Sequence, residues 1–156
     1  VLWGIWGGDI NNFNESNIYL QSFCKNVFNF GSVEKAAQAK LLSNFLSLIT
    51  TTTVIEFFRS AKNLDIDLKL LCEVAKLGSG NSGALNRIAD KAIQGDYKGY
   101  IFSVNNTLKD LTYINDLLED SKNAEELSRI AINFYESAKE KGHGDLLVSE
   151  LIEKEY

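Results

Sequence analysis

Lys40 and Asn44 stand four residues apart in a stretch whose pattern is helical, so both side chains fall on one face of the helix. An ammonium can exchange a proton with a hydroxyl, and a carboxamide beside it can both donate and accept a hydrogen bond to orient that hydroxyl. Ser47 and Thr51 continue the same face at i+7 and i+11, so a polar stripe runs down an otherwise apolar segment. A lone lysine ordinarily marks a solvated edge. Solvated helix faces usually add glutamate and lysine at every turn, whereas here one charge is followed by an amide and hydroxyls, and that order favours the lining of a cleft.

Other groups with chemical reach are fewer. The run Gly78-Ser79-Gly80-Asn81-Ser82-Gly83 precedes a helix, where free backbone N–H groups can hold a carboxylate or phosphate. It matches neither the P-loop nor the dinucleotide fingerprint, and taken alone it reads first as a flexible connection ending in a serine or asparagine cap. Gly4-Ile5-Trp6-Gly7-Gly8 is weaker still as a cofactor motif. Lys109-Asp110 within a helix reads first as a surface pair. His143, the single histidine, lies in a Gly-His-Gly turn, so imidazole chemistry has one residue to draw on and no metal site is expected. Cys24 and Cys72 form neither a CxxC pair nor a disulfide framework and read as core thiols of a reducing, cytoplasmic compartment.

The elements that must position these groups follow from periodicity. Residues 1–30 alternate a short apolar run closed by glycines, an amphipathic stretch and a second short apolar run, which predicts strand, helix, strand with a parallel crossover. Two parallel strands cannot cover both faces of a sheet, so further strands are expected before Val1. From Gly31 onward the pattern is helical, with breaks at 63–67, 78–82, 95–99, 120–123 and 142–144, giving about five helices. The longest runs from about Ser32 to Ala61, and its uncharged part, residues 41–55, is roughly 22 Å long against the roughly 30 Å of a bilayer core. It therefore reads as a helix buried among others, with no membrane as partner. Its four threonines, 50–53, are poor helix formers that packing must hold, and Ser43, Ser47 and Thr51 offer a small-residue stripe for a neighbouring helix. Later stripes expected to face the core are Leu70, Leu71, Val74 and Leu77 behind an Asp67 cap; Leu85, Ile88, Ala89, Ala92 and Ile93; Val104, Leu108, Leu111, Tyr113, Leu117 and Leu118; and Leu127, Ile130, Ala131, Phe134 and Ala138. A last helix capped by Asp145 presents Leu147, Leu151 and Ile152.

The fold class expected is mainly all-α: a helical domain, residues 31–156, with a long buried first helix, preceded by a short β-α-β remnant of a nucleotide-binding domain, residues 1–30. The chain has 156 residues, 45% of them hydrophobic, enough for one globular core and too apolar for disorder. It lacks proline and methionine and begins at Val1, which reads as a truncated piece of a longer product. Sixteen basic against 21 acidic residues, net −5, leave no large phosphate-neutralising surface, so nucleic acid is not expected as a partner. The aromatics of the crossover unit, among them Trp3, Phe28 and Phe30, have no sheet neighbours to cover them. Large exposed apolar patches are rare on monomers, so a homo-oligomer is expected.

In order along the chain, these pieces resemble the C-terminal part of the β-hydroxyacid dehydrogenase family, which includes 3-hydroxyisobutyrate dehydrogenase and, more distantly, 6-phosphogluconate dehydrogenase. IWGGD at 5–9 is similar to the last strand and turn of the family's nucleotide-binding domain, and GSVEKAAQAKLLSN at 31–44 resembles the start of its interdomain helix. There Lys40 falls on the family's catalytic lysine and Asn44 on an asparagine that touches substrate. GSGNSGAL at 78–85 resembles a loop bordering the cleft, GYIFSVNNTLKDL at 99–111 the segment whose lysine, here Lys109, approaches the nicotinamide cofactor, and YESAKEKGHGDLLVSELIE at 135–153 the closing helices. Glu34 and Ala36 stand where the family usually has glycine, Ala37 where it has glutamine, Ser43 where it has asparagine, Gly83 where a bulky aromatic is common and Asn105 where aspartate is frequent. The family's glycine-rich phosphate loop and serine-glycine substrate loop are not in this sequence.

The resemblance implies the substrate-side half of an NAD- or NADP-dependent 3-hydroxyacid dehydrogenase acting on a small hydroxyacid. Lys40 would exchange the hydroxyl proton, Asn44 would orient the substrate and Lys109 would sit beside the cofactor. Without the dinucleotide cradle, no cofactor is expected on this chain alone, and the isolated chain is expected to be inactive. The alternative class is a non-catalytic helical oligomerisation or interaction module, whose long helix packs against another subunit.

Overall fold

A computed structural model describes residues 2–156, which form two compact units divided between Asn44 and Phe45. In the first, strand β1 (Leu2–Trp6), helix α1 (Ile10–Leu20) and strand β2 (Cys24–Asn29) make the expected crossover, with β1 and β2 parallel and Gly4, Ile5 and Trp6 in register with Val27, Phe28 and Asn29. Asp9 caps α1 by accepting from Asn11 N (2.8 Å) and Asn12 N (3.3 Å), and Trp6 leans on Phe13 with ring centroids 5.8 Å apart. The glycine-rich turn after β1 serves close packing. A Cβ on Gly7 would lie 2.5 Å from Ala36 Cβ and 2.6 Å from Ser32 O, so only glycine lets this turn meet the start of the next helix. Trp3, Phe23, Phe28 and Phe30 are exposed on this two-stranded unit.

Helix α2 (Val33–Asn63) is a single helix of 31 residues that contributes to both units. Its length and composition alone would let it cross a membrane, yet Ile55 and Phe58 are fully buried, so one side is committed to a protein core. The four threonines lie within the helix, where packing holds buried Thr51 and each hydroxyl donates to the carbonyl four residues back, Thr50 to Leu46, Thr51 to Ser47, Thr52 to Leu48 and Thr53 to Ile49, at 2.7–3.0 Å. Thr52 Oγ1, its proton given to Leu48 O, accepts from Tyr135 OH at 2.9 Å. The expected burial holds for the side carrying Leu48, Thr51, Val54, Ile55, Phe58 and Ala61, whereas Leu42 and Leu46 on the other side are 48% and 71% exposed.

The second unit continues with α3 (Leu68–Leu77), α4 (Gly83–Ala92), α5 (Val104–Leu117) and α6 (Lys122–Ala138), then a π-helical turn (Lys139–His143) and a 3₁₀ helix (Val148–Glu153). Its core gathers Ile55, Phe58, Ile88, Val104, Leu111, Ile114, Tyr135, Val148 and Leu151. Buried Ser149 donates to Tyr97 O (2.6 Å) and accepts from Tyr100 N (3.1 Å), fastening the α4–α5 connection to the 3₁₀ helix. Arg59 donates to Leu151 O and Lys154 O and lies 4.4 Å from the Tyr156 ring centre.

Three expectations need correction. On α3 the cap at Asp67 and the stop at Gly78 are as read, but Leu70, Val74 and Leu77 are exposed and the buried residue is Cys72. Tyr113 on α5 and Leu127 and Ile130 on α6 also face outward, because Ile114 and the pair Ser128 and Tyr135 occupy the core instead. Asp145 caps no helix. It accepts from Asn105 Nδ2 (3.0 Å), and the 3₁₀ helix starts after Leu147, whose N–H donates to Glu150 Oε2 (2.9 Å).

Two tests follow from this packing. A Cβ on Gly99 would sit 2.4 Å from Arg87 O and 2.9 Å from Ile88 Cα, both α4 backbone that cannot swing aside. Gly99→Ala should lower unfolding free energy by about 1–3 kcal/mol in urea titration, while Gly80→Ala, with nothing near, should stay within about 0.5 kcal/mol. Burial holds the Tyr135 phenol well above its usual range, so the unfolded phenol ionises first and stability should fall as pH rises past about 10. Tyr135→Phe should start about 1 kcal/mol lower for its lost hydrogen bond and show a shallower alkaline decline, read from chemical unfolding at stepped pH.

Candidate functional site

The spacing of Lys40, Asn44, Ser47, Thr51 and Phe58 keeps all five on one side of α2. The structure divides the stripe predicted from sequence. Ser47 Oγ lies 2.9 Å from Tyr100 OH and Thr51 is fully buried, so these two hydroxyls belong to helix packing and line no open cleft. Lys40 is exposed and Asn44 half-buried, on the part of α2 that belongs to the first unit. Helix α2 begins at Val33, so Lys40 lies two turns in, past the first turn where the positive end of a helix dipole is felt. An ammonium and a carboxamide one turn apart on one helix face can meet a hydroxyl together once something covers them.

Lys109 lies on α5, 56% exposed, with Nζ 3.2 Å from Asp110 Oδ1. The Asp110 side chain is only 6% exposed, so the pair is no ordinary surface pair: one partner is buried and the other reaches out. Lys109 borders an open groove of about 510 Å³ between α5 and α6 that is also lined by Asn105, Thr112, Glu136, Lys139 and Glu140. Two ammonium groups face two carboxylates there. The groove is polar without a net positive field, suited to touch one edge of a polar ligand and unsuited to hold a polyphosphate by itself. Asn105 and Thr112 were legible as neighbours of Lys109 from helical spacing. Lys139, brought by the π-helical turn after α6, had no local signal.

The remaining candidates are structural. Ser82 Oγ accepts from Leu85 N (3.1 Å), so the Gly78–Gly83 run ends in a serine cap, and Asn86 Nδ2 donates to Asn81 Oδ1 (2.9 Å) across it. Cys24 and Cys72 are buried and unbridged, and burial pushes the Cys72 thiol up, away from reactivity. His143 closes the π-helical turn, where Gly142 takes φ 83°. Among the described residues no three histidine, cysteine or acidic side chains are grouped to hold a metal.

Comparison with known proteins adds the rest. A family profile described as the NAD-binding domain of NADP-dependent 3-hydroxyisobutyrate dehydrogenase matches residues 35–154. An uncharacterized oxidoreductase of Synechocystis is 27% identical over 114 residues, 73% of this chain and 39% of that protein. The fold is that of 3-hydroxyisobutyrate dehydrogenase from Salmonella typhimurium (TM-score 0.83, 22% identity, 94% of this chain and 51% of that one). It is also that of the Mycobacterium tuberculosis 3-hydroxyisobutyrate dehydrogenase solved with L-serine (TM-score 0.78, 22% identity, 94% and 52%). Psf3, solved with NADP+ and 2-OPP, is similar too (TM-score 0.81, 19% identity, 95% and 51%). The chain thus spans about half the length of the solved proteins it resembles, and less of the Synechocystis protein. With the profile covering most of its length, from the first turn of α2 to the last residues of the 3₁₀ segment, this chain belongs to the β-hydroxyacid dehydrogenase family.

Proposed function

We propose that the chain is the substrate-side half of an NAD- or NADP-dependent 3-hydroxyacid dehydrogenase, similar to 3-hydroxyisobutyrate dehydrogenase, working in the cytoplasm as a homo-oligomer on a small hydroxyacid. The observation that carries the reading is the pairing of Lys40 with Asn44 one turn apart on α2, inside the segment matched by the family profile. In this proposal residues 1–30 complete a nucleotide-binding domain and 31–156 form the substrate and oligomerisation domain. The two buried, unbridged thiols suit the reducing compartment.

Lys40, as the neutral amine, takes the proton of the substrate hydroxyl as the alcohol is oxidised, and the resulting ammonium returns it in the reverse direction. A positioned proton-transfer group is typically worth about 10²–10⁴ in rate. Asn44 accepts from or donates to the same hydroxyl, or to the substrate carboxylate, and so fixes the angle at which the proton leaves. Lys40 is exposed in this chain, so the water-excluding wall its role requires is supplied by the nucleotide-binding half. The residues present fit one edge of a dinucleotide: Lys109 is half-exposed, anchored through buried Asp110 and bordered by polar side chains. When bound, the nicotinamide supplies the hydride chemistry. With the phosphate cradle outside this sequence, the isolated chain is expected neither to bind the cofactor nor to turn over.

In the full-length protein, Lys40→Ala should lower kcat by about 10³-fold, within the range of a lost proton-transfer group, and leave dinucleotide Kd within about twofold. Retention of a tenth of wild-type turnover would remove Lys40 from the role. Lys109→Ala should instead raise KM for the dinucleotide about tenfold, the effect of one lost charge-assisted contact. Because the Lys109 side chain is half-exposed, its melting temperature should shift little. Equal dinucleotide KM in both proteins would exclude Lys109 from the cofactor site.

A further inference from the structure

The groove beside Lys109 lies wholly within the second unit. Tyr135 and Ala138 of α6 are fully buried, so Glu136, with Lys139 and Glu140 of the π-helical turn, is left on the outward side, and all three are exposed. Two ammonium groups and two carboxylates line the groove, but its two walls are unlike. On the α5 wall Lys109 shares its charge with the buried carboxylate of Asp110, 3.2 Å away, beside the amide of Asn105 and the hydroxyl of Thr112. On the α6 wall Lys139 stands alone against Glu136 and Glu140, and among the described residues none of these three enters an ion pair. That wall therefore carries one negative charge in excess. It also runs towards the carbonyl end of the helical segment, where the helix dipole favours a cation.

We infer that Glu136 and Glu140 tilt this groove towards the oxidised form of the dinucleotide, by facing the positive charge that the nicotinamide ring carries only when oxidised. The inference rests on the cofactor reading of Lys109 proposed above and deepens it, naming the part of the cofactor that the groove meets and the redox state it favours. A dinucleotide offers three kinds of group. Its phosphates are anionic and would bring like charges against two carboxylates. Its adenine is neutral and gains nothing from an excess of carboxylate. The nicotinamide end combines a carboxamide, which can accept from the Lys109 ammonium and pair with Asn105 or Thr112, with a ring that is cationic when oxidised and neutral when reduced. In the reduced form the carboxamide contacts remain and the attraction to Glu136 and Glu140 is lost. Lys139 opposes that attraction and so limits its size. With these side chains exposed, the effect is modest and screened by salt.

Calorimetric titration of the full-length protein with NAD+ and NADH, and with NADP+ and NADPH, tests the assignment without turnover. Glu136→Gln with Glu140→Gln should weaken the oxidised form about fivefold, the combined effect of two exposed charge contacts, and leave the reduced form within about twofold. Lys139→Gln should move the ratio of the two affinities the other way, tightening the oxidised form about twofold. A loss of folding cannot produce opposite signs in the two variants. In about 0.5 M salt, where screening reaches only a few ångströms, the double variant and the wild type should give the same ratio. Equal changes in both forms overturn the inference: tightening of both would put phosphate in the groove, and no change in either would put adenine or solvent there. If Lys109→Ala weakens the dinucleotide while the carboxylates leave the ratio untouched, the inference falls and the cofactor reading stands. A protein that binds none of the four dinucleotides overturns both.

Discussion

Helix α2 has to stay helical through four consecutive threonines, and the rest of the molecule is arranged around the way it does so. Each of those hydroxyls bonds to the carbonyl one turn back, which leaves no threonine hydroxyl without a partner but shares the helix's own acceptors, so packing has to carry the segment. Thr52 still has a lone pair to accept from Tyr135, and Ser47 meets Tyr100. Two tyrosines from distant parts of the sequence are thereby bound to one helix by their phenol oxygens, and their rings fill the space between. A branched side chain that looked like a weakness in the helix becomes the means of fixing what packs against it.

Different stretches of the same helix do different work. From Leu48 to Ala61 its inner side is core. Lys40 and Asn44, one turn apart, lie on the part of the helix that belongs to the first unit, and Leu42 and Leu46 are exposed.

Much of this was legible in the sequence, and the reasons differ by element. The crossover unit, the length of α2 and the breaks between helices follow from glycine placement and apolar spacing, which are local signals. The α3 stripe was misread because Leu70, Val74 and Leu77 carry the same period whether they meet their own core or stand open; periodicity says that a face is apolar and is silent on what covers it. The Lys40–Asn44 relation is local, four residues on one helix, and could be read directly. The consumption of Ser47 and Thr51 by the core was not readable, because it depends on Tyr100 and on packing from far along the chain. The burial of Asp110 and the approach of Lys139 to Lys109 depend on how α5 and α6 lie together, which no spacing within either helix reveals.

The first turn of α5 is held by more than its serine cap. Val104 N donates to Leu146 O, Asn105 N to Gly144 O and Val148 N to Phe102 O, so the helix is threaded into a small clasp with the segment after the π-helical turn. A Cβ on Gly144 would fall 2.8 Å from Asn105 Oδ1, so any larger residue there has to displace the Asn105 carboxamide. Lys109 sits just one turn beyond this clasp. The position of the Lys109 ammonium is therefore set by a helix start that is tied by backbone hydrogen bonds to residues 144–148, far along the chain.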